Sequence, residues 1–305
     1  MTGSLDRLTL LATFVRIAER GSISAAARDL GLSQPSASRQ LADLENRLGA
    51  QLVRRTTHDL SLTPTGLGLL ADARELLDGW QAIEDRHGGA AEPVRGQLKV
   101  VAPIALGQGH LVDVALQFRQ CHPAVTLDWS LDDQPIRFAE IGCDCWIKIG
   151  PVPDETLIVR SLGRVERLVV GTPAVAAEFN GASGVGALDN LPCAALQPFE
   201  GGRIELKNRS GQAASLSPPV TFSTTSIAAL HRAVLADAGF AVFPRWFVEA
   251  DLASGRLVDL MPDWRAETLT INVAYAPSRF QPRRLTLFLD ALGAGVPAIA
   301  GIDPV

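Results

Sequence analysis

The sequence predicts a mixed α/β protein with an N-terminal winged helix-turn-helix, a long linker helix and a C-terminal two-lobed α/β domain. Three observations support this fold class. The first 62 residues carry short amphipathic helical patterns separated by glycines, and a longer helical pattern follows from Thr63. From Gln97 onward, strand patterns alternate with helical ones. We therefore predict three parts, at residues 1–62, 63–93 and 94–305.

Length and composition are those of a globular protein. At about 150 residues per domain, 305 residues predict two or three domains. Hydrophobic residues make up 47% and charged residues 20%, which argues against disorder. No apolar run approaches the ~18 residues of a membrane span, and charges at 6, 7, 16 and 19 argue against a secretory signal. We expect a cytoplasmic protein with no membrane partner.

Neither the cysteines nor the common catalytic motifs indicate a metal centre or an enzyme. Cys121, Cys143, Cys145 and Cys193 fit no common zinc spacing, even with His122 counted, so we expect thiols, no metal and no cofactor. Gly-x-Ser-x-Gly, His-Glu-x-x-His and Gly-x-Gly-x-x-Gly motifs are missing. A dyad of dispersed Asp and Glu residues stays open, but we expect no enzymatic activity.

Charge is unevenly distributed along the chain. The net charge is −5, whereas residues 1–62 contain eight arginines against six acids and carry +2. A small cationic head on an acidic body is compatible with binding of DNA phosphates.

Apolar spacing predicts three helices before residue 49. The first covers residues 5–19 and ends at Gly21, and the second covers 22–30. Gly31 can supply the positive φ of a tight turn, and Ser33 can cap the third helix. The apolar stripe of that third helix is Ala37, Leu41, Leu44 and Leu48.

The third helix, Gln34 to Arg47, carries polar side chains of the kinds that bind base edges. The candidate DNA-binding residues here are Ser33, Gln34, Pro35, Ser36, Ser38 and Arg39. A plain helical bundle with a polar outer face is the alternative interpretation. The spacing of Ala27, Gly31 and Ser33 favours a helix-turn-helix, because small residues let two helices cross closely.

Two short alternating runs around a polar turn, at 51–55 and 60–62, predict a β-hairpin, or wing. Arg54, Arg55 and His58 lie where a wing can contact phosphates or the minor groove.

This head resembles the winged helix-turn-helix of LysR-type transcriptional regulators over about sixty residues. The matching residues are Ala25-Ala-Ala-Arg-Asp-Leu-Gly-Leu-Ser33-Gln-Pro35-Ser-Ala-Ser-Arg39-Gln-Leu41, then Leu44-Glu45, Leu48-Gly49 and Leu62-Thr63. The chain departs from the family at Val53, usually Phe, and at His58 and Asp59, where basic residues are common. The resemblance implies double-stranded promoter DNA as a partner, with a wing that binds phosphate more weakly than is typical.

Thr63-Pro64 predicts a capped helix start, and the residues after it repeat at coiled-coil spacing. Its predicted seam is Leu69, Ala73, Leu76, Trp80 and Ile83. Packing against the chain's own first helix is an alternative, and the two are compatible. The resemblance implies a linker helix that pairs with its twin in a dimer, and residues 88–93 predict a hinge.

From Gln97, the order of strands and helices predicts an α/β domain with a largely parallel sheet. Residues 94–305 resemble the effector-binding domain of the same regulators, itself similar to periplasmic solute-binding proteins. On that analogy, lobe one comprises 94–163 and 270–305, and lobe two comprises 164–269.

Ligands of open α/β sheets bind beyond the carboxyl ends of strands, so residues that follow strands are the effector-binding candidates. They are Pro103, Ile104, Gly150 and Phe243, together with Thr224 and Thr225 at the start of a helix that could bind an anion. Simple helix capping is the alternative for the two threonines. Arg137 stands where the family often has an acid, which favours a carboxylate or phosphate effector unless Arg137 merely pairs with Glu140. We predict a small anionic effector between the lobes.

Two functions fit these observations. The first is a dimeric or tetrameric sequence-specific regulator of promoters that responds to a small-molecule effector, with RNA polymerase as a further candidate partner. The second is a soluble small-molecule-binding protein whose helical head serves only assembly. An assembly module has no need of Arg39, Arg54 and Arg55, so we favour the regulator.

Overall fold

The computed structural model describes residues 6–55, 60–87, 93–179, 184–199 and 202–305. The chain divides into two compact units. Unit 1 comprises Met1–Gly96, Arg137–Gly142 and Pro277–Thr286, and unit 2 comprises Gln97–Ile136, Cys143–Ala276 and Leu287–Val305. Within the described residues, none of the helices is both long enough and apolar enough to cross a bilayer.

The head of unit 1 has the predicted order of three helices, a hairpin and a long helix. Its elements are α1 (Arg7–Arg20), α2 (Ile23–Asp29), α3 (Gln34–Leu48), β1 (Val53–Arg55), β2 (Leu60–Leu62) and α4 (Pro64–His87). The turn between α2 and α3 is tight because Gly31 has φ +66° and the Leu32 N–H donates to the Ala27 carbonyl at 2.8 Å. Ala27 and Ala37 are buried there, so the predicted close crossing is confirmed.

One residue of the predicted stripe on α3 is wrong. Leu48 is 49% exposed, since it is the last helical residue before Gly49 and lies outside the core of the head. Gln40 is buried in the stripe instead, and Thr13 of α1 donates a 2.5 Å hydrogen bond to its side-chain oxygen. A polar residue is tolerated at this core position because its acceptor is paired.

The remaining elements alternate between strands and helices. The helices are α5 (Ile104–Gln108), α6 (His110–Cys121), α7 (Phe138–Ile141), α8 (Pro173–Phe179), α9 (Ile227–Leu235), α10 (Arg245–Ser254) and α11 (Arg283–Gly295), with 3₁₀ turns at Val185–Asn190 and Val296–Ala298. The strands are β3 (Gly96–Ala102), β4 (Val125–Leu131), β5 (Cys145–Ile149), β6 (Ile158–Gly171), β7 (Cys193–Leu196), β8 (Ile204–Asn208), β9 (Ala213–Leu216), β10 (Val220–Thr224), β11 (Ala241–Pro244), β12 (Val258–Asp259), β13 (Trp264–Tyr275) and β14 (Ile302–Asp303). Helices α5 and α6 are separate because Gly109 adopts non-helical dihedrals between them.

The largest sheet has the strand order β11-β6-β13-β5-β3-β4. The expectation of a largely parallel sheet is wrong at its centre, where β13 pairs antiparallel with both β5 and β6. Parallel pairing does join β3 to β5, and β7 to β10 in a separate two-stranded sheet. The antiparallel centre arises because the chain passes from the first group of strands to the second along β6 and returns along β13.

Strands β6 and β13 are the two crossings between the predicted lobes. The predicted boundaries at 163/164 and 269/270 fall within these strands, where Arg164 is the register partner of Thr270. Close by, the buried Asn272 side chain donates to the Gly150 carbonyl at 2.9 Å and accepts from Ser161 Oγ at 2.9 Å. The amide therefore ties both crossing strands to the end of β5. The lobe and domain boundaries themselves stay predictions.

The carboxylate of Glu166 on β6 joins this strand to β13 and to α10. Glu166 accepts from Arg265 Nε of β13 at 2.6 Å and from Arg245 Nη1 of α10 at 3.3 Å. Burial alone raises the pKa of the Glu166 carboxyl, but the hydrogen bonds from Arg265 and Arg245 outweigh burial, and the net pKa is lowered.

We expect Glu166→Gln to destabilise the protein in a pH-dependent manner. Because the pKa of Glu166 is lowered by folding, its contribution is present above its ordinary value of 4.5 and is lost as the pH falls through the depressed folded pKa. The difference in Tm between wild type and Glu166→Gln should therefore be full at pH 7 and shrink below about pH 4.5. Glu178→Gln, at an exposed carboxyl without an ion pair to any described residue, is the control. A difference independent of pH would contradict this account.

Candidate functional site

The first turn of α3 is exposed and ordered by its own cap. Ser33 Oγ accepts from the Ser36 N–H at 3.3 Å and lies 2.8 Å from Ser36 Oγ. Gln34, Pro35 and Arg39 are exposed, and Ser38 is half-buried. The predicted base-reading residues therefore lie together along one open side of a helix whose opposite side is packed in the head core.

The wing presents one described arginine to solvent. Arg54 is exposed on β1 opposite Ser61, and its neighbour Val53 is 3% exposed and packed in the head core. Arg55 is opposite Leu60 in the same hairpin, but its side chain lies outside the described residues, as does His58. The alternation of strand residues thus directs Val53 inward and Arg54 outward.

A glutamate of α3 and a threonine at the start of α4 hold the base of the wing. Glu45 Oε1 accepts from the backbone N–H groups of Leu52 at 2.8 Å and Val53 at 3.3 Å. On the other side, the Thr63 N–H donates to the Leu52 carbonyl at 2.9 Å. Thr63 Oγ1 accepts from the Gly66 N–H at 3.0 Å, so the predicted cap of α4 is confirmed.

The predicted seam on α4 divides into two parts. Ala73 is buried, and Leu69 packs against the core of the head. Arg74 of α4 also donates to Glu19 of α1 at 3.4 Å, so the alternative of packing against the first helix holds for this part. Leu76 and Trp80 are 51% and 46% exposed, and Ile83 is half-buried. Two large apolar side chains one turn apart are thus left open to solvent within this chain.

Unit 2 contains a pocket of about 290 Å³ between its two groups of elements. One wall comes from α5 and the segment after β4, and the other from the start of α9 and from α10. The lining residues are Ile104, Ala105, Gln108, Asp132, Asp133, Gln134, Thr225, Ser226, Ile227, Ala228 and Phe247. Asp133 Oδ1 accepts from the Ile104 N–H at 2.9 Å and Asp132 Oδ1 from the Gln134 N–H at 2.8 Å, which fixes both carboxylates in the wall.

Two of the predicted effector residues, Ile104 and Thr225, line this pocket. The other predicted effector residues are not among the residues that line this pocket. Pro103 is buried at the start of α5, and Thr224 ends β10, where its Oγ1 accepts from the Ser226 N–H. Gly150 is buried with both backbone polar groups bonded within the sheet, and Phe243 is 0% exposed in the core beneath α10. Arg137 is exposed in unit 1, not in the unit that holds the pocket.

Sequence reasoning missed most of the wall, although part of it was accessible. Asp132 and Asp133 directly follow strand β4, so the rule applied to the other strands would have selected them. Phe247 lines the pocket where Phe243 was expected. The two rings stack 6.0 Å apart, and only the one on α10 reaches the pocket.

The two helices of the second wall are fastened together by a histidine–aspartate pair. His231 Nε2 of α9 lies 2.8 Å from Oδ2 of Asp251 on α10, and Asp251 is 3% exposed. The His231 ring also meets the Phe247 ring edge-on at 5.5 Å. The position of Phe247 relative to α9 is therefore fixed from behind the pocket.

Three of the four cysteines are buried thiols. Cys143, Cys145 and Cys193 are buried, and Cys121 is exposed. Burial raises the pKa of Cys193 to about 12, and burial, helped by Asp144 and Cys143, raises the pKa of Cys145. Across the described ranges, no three His, Cys, Asp or Glu side chains come together as metal ligands.

Two protein families match the chain in tandem. Residues 8–67 match the family described as "Bacterial regulatory helix-turn-helix protein, lysR family". Residues 91–297 match the "LysR substrate binding domain". The first match covers α1 to the start of α4, and the second covers the pocket.

Individual relatives match along nearly the whole chain. The chain is 31% identical to the HTH-type transcriptional regulator PtxR of Pseudomonas aeruginosa, over 96% of this chain and 95% of PtxR. It is 28% identical to the uncharacterized HTH-type transcriptional regulator YhjC of Escherichia coli, over 96% and 98%. Among solved structures, CrgA from Neisseria meningitidis matches with TM-score 0.57 and 26% identity, over 96% of this chain and 99% of CrgA. A full-length OxyR variant from Pseudomonas aeruginosa shares the fold with TM-score 0.70 and 19% identity, over 99% and 98%.

Proposed function

The chain belongs to the LysR family of DNA-binding transcriptional regulators with an effector-binding domain, and we propose a residue-level account of how it binds DNA, effector and a second copy of itself. The observation that carries the DNA part is the exposed, capped first turn of α3 beside an exposed wing arginine. Arg39 and Gln34 bind base edges in the major groove, and Arg54 binds backbone phosphate. The rival interpretation, a head that serves only assembly, leaves these side chains without a role.

The second copy binds along the open part of α4. Leu76 and Trp80 form an apolar strip that a twin helix would cover, since isolated exposed apolar pairs at coiled-coil spacing gain stability by packing on one another. A two-fold dimer carries two heads, so the operator is roughly palindromic with half-sites about 34 Å apart or a multiple of this. Pairs of such dimers would form a tetramer, and RNA polymerase at the same promoter is the further partner.

The effector binds in the pocket of unit 2. Its lining supplies two carboxylates, two amide side chains and two hydroxyls, and no Lys or Arg occurs among the described lining residues. Opposite charges attract, so a ligand with a positively charged or hydrogen-donating group fits this lining better than a purely anionic one. Arg137 was the reason to expect an anion, and it belongs to the other unit. We therefore replace the anionic effector by one with a cationic group.

We expect Arg39→Ala and Arg54→Ala to weaken DNA binding in different ways. Arg39→Ala should cost about 1–3 kcal/mol on a specific site and relax sequence preference there, because a bidentate contact to a base is lost. Arg54→Ala should weaken specific and random duplexes alike. Fluorescence anisotropy with a selected operator and a scrambled duplex measures both. An Arg39→Ala protein with unchanged operator affinity and preference would refute the assignment of α3.

We expect the double substitution Leu76→Asp with Trp80→Asp to separate the dimer. Charge placed in an apolar seam is desolvated at high cost, so the mass in light scattering should fall and DNA affinity should fall with it. Ala71→Asp, at an exposed position on the opposite side of α4, is the matched control and should leave the mass unchanged. An unchanged mass for the double variant would exclude this seam.

We expect a thermal-shift screen of amines, amino acids and organic acids to find stabilisers that carry an amino group. Their shift should diminish in Asp133→Asn and Thr225→Val, which alter the two walls of the pocket, and persist in Arg137→Ala. Stabilisation by acids alone, lost in Arg137→Ala, would restore the anionic effector and move the site to the other unit.

A further inference from the structure

The base of the wing is the point at which the DNA-reading helix, the wing and the linker helix meet. Leu52 is 0% exposed, its N–H donates to Glu45 of α3, and its carbonyl accepts from the Thr63 N–H at the start of α4. The fit is close, since a Cβ added to Gly66 would lie 2.1 Å from the Leu52 carbonyl oxygen. The backbone here has no room to shift towards α4.

Hydrogen bonding explains why a carboxylate stands at position 45. The N–H groups of Leu52 and Val53 both point to one Glu45 oxygen, and both residues are buried. A buried N–H without an acceptor destabilises the fold, and a charged acceptor forms a stronger bond than a neutral one. Glu45 is half-buried and more than one turn from Arg39, so its carboxylate is directed to the wing base.

The hydrogen bonds of Glu45 also fix the position of the neighbouring residue, Arg54. Arg54 directly follows Val53, whose N–H is held by Glu45, and the hairpin register fixes Arg54 opposite Ser61. Thr63 ties the same segment to α4, whereas Glu45 links the wing base to α3 by two hydrogen bonds among the described residues. The distance between the base-reading residues and the wing arginine depends on that link.

We propose that Glu45 is a positioning residue for DNA binding. It holds the wing at the distance from α3 at which Arg54 and the exposed side chains of α3 can contact the same duplex. Glu45 touches no DNA in this account. The inference rests on the proposed contact between Arg54 and a phosphate, and it adds a residue whose acidic side chain would otherwise be expected to oppose DNA binding.

The test is a double-mutant cycle between Glu45 and Arg54 on a fluorescent random duplex at several salt concentrations. Arg54→Ala alone should lower affinity several-fold and reduce the salt slope by about one unit for each bound wing. Glu45→Asp keeps the charge but shortens the side chain, so it should weaken binding similarly, and adding Arg54→Ala to it should have little further effect. Glu45→Gln keeps an oxygen acceptor at full length but without the charge, so its loss of affinity should be smaller than that of Glu45→Asp.

Two further measurements separate positioning from general instability or charge. Hydrogen exchange should accelerate in the wing peptide of Glu45→Asp while α1 to α3 keep wild-type protection. Asp43→Ala removes a carboxylate from the same helix and should leave the Arg54→Ala effect unchanged, because no hydrogen bond to the wing is lost.

The outcomes distinguish the two levels of the proposal. Equal effects of Arg54→Ala in the wild-type and Glu45→Asp backgrounds, or unchanged exchange in the wing, would overturn the role of Glu45 while leaving the wing contact intact. An Arg54→Ala protein with unchanged affinity and salt slope would overturn the wing contact itself, and the positioning role with it.

Discussion

The antiparallel pairing of β6 with β13 is the constraint on which unit 2 depends. At one end of the paired region Ile158 is opposite Tyr275, and at the other end Arg167 is opposite Ala266. Each strand therefore passes through both groups of elements. Strands pack on the two ends of this ribbon: β5 at one end, β8 and β11 at the other. A pocket forms because two compact groups joined by a shared ribbon leave a cleft where their outer segments face each other. Two polar residues of this ribbon, Asn272 and Glu166, are both hydrogen-bonded to neighbouring elements.

In the head, too, buried polar groups are hydrogen-bonded where several elements meet. Three pieces of backbone converge on Leu52, and none of its polar groups can reach water, so side chains and neighbouring backbone supply every partner. Small residues allow the elements to approach closely. Ala27 and Ala37 let α2 and α3 cross, and Gly66 lets the start of α4 pack against the wing base. The exposed side of α3 proposed to bind DNA is thus the outside of a closely packed core, which gives its side chains a rigid support.

How much the sequence predicts depends on whether a feature is local. Gly31, Ser33 and Thr63 define turns and caps through nearest neighbours, and the structure has them as predicted. Leu48 is exposed and Gln40 is buried in the structure. Periodicity does not predict this, because burial also depends on which partner lies beside each residue. The antiparallel centre of the sheet needs the return strand, a hundred residues away in the chain. The grouping of Arg137 with unit 1, apart from the pocket residues, is likewise a long-range property.

If the effector binds in this pocket, as proposed, the position of the pocket limits how it can act. A ligand shifts a conformational equilibrium only by its difference in affinity between two states, so its contacts must change when the protein does. The pocket meets this condition because Asp133 belongs to one wall and Phe247 to the other, and motion of one group about the β6–β13 ribbon would alter their separation. The His231–Asp251 pair joins α9 to α10 behind this second wall. A ligand that bridges carboxylate and ring therefore favours one setting of the ribbon, whereas a ligand held by one wall alone would bind without changing it.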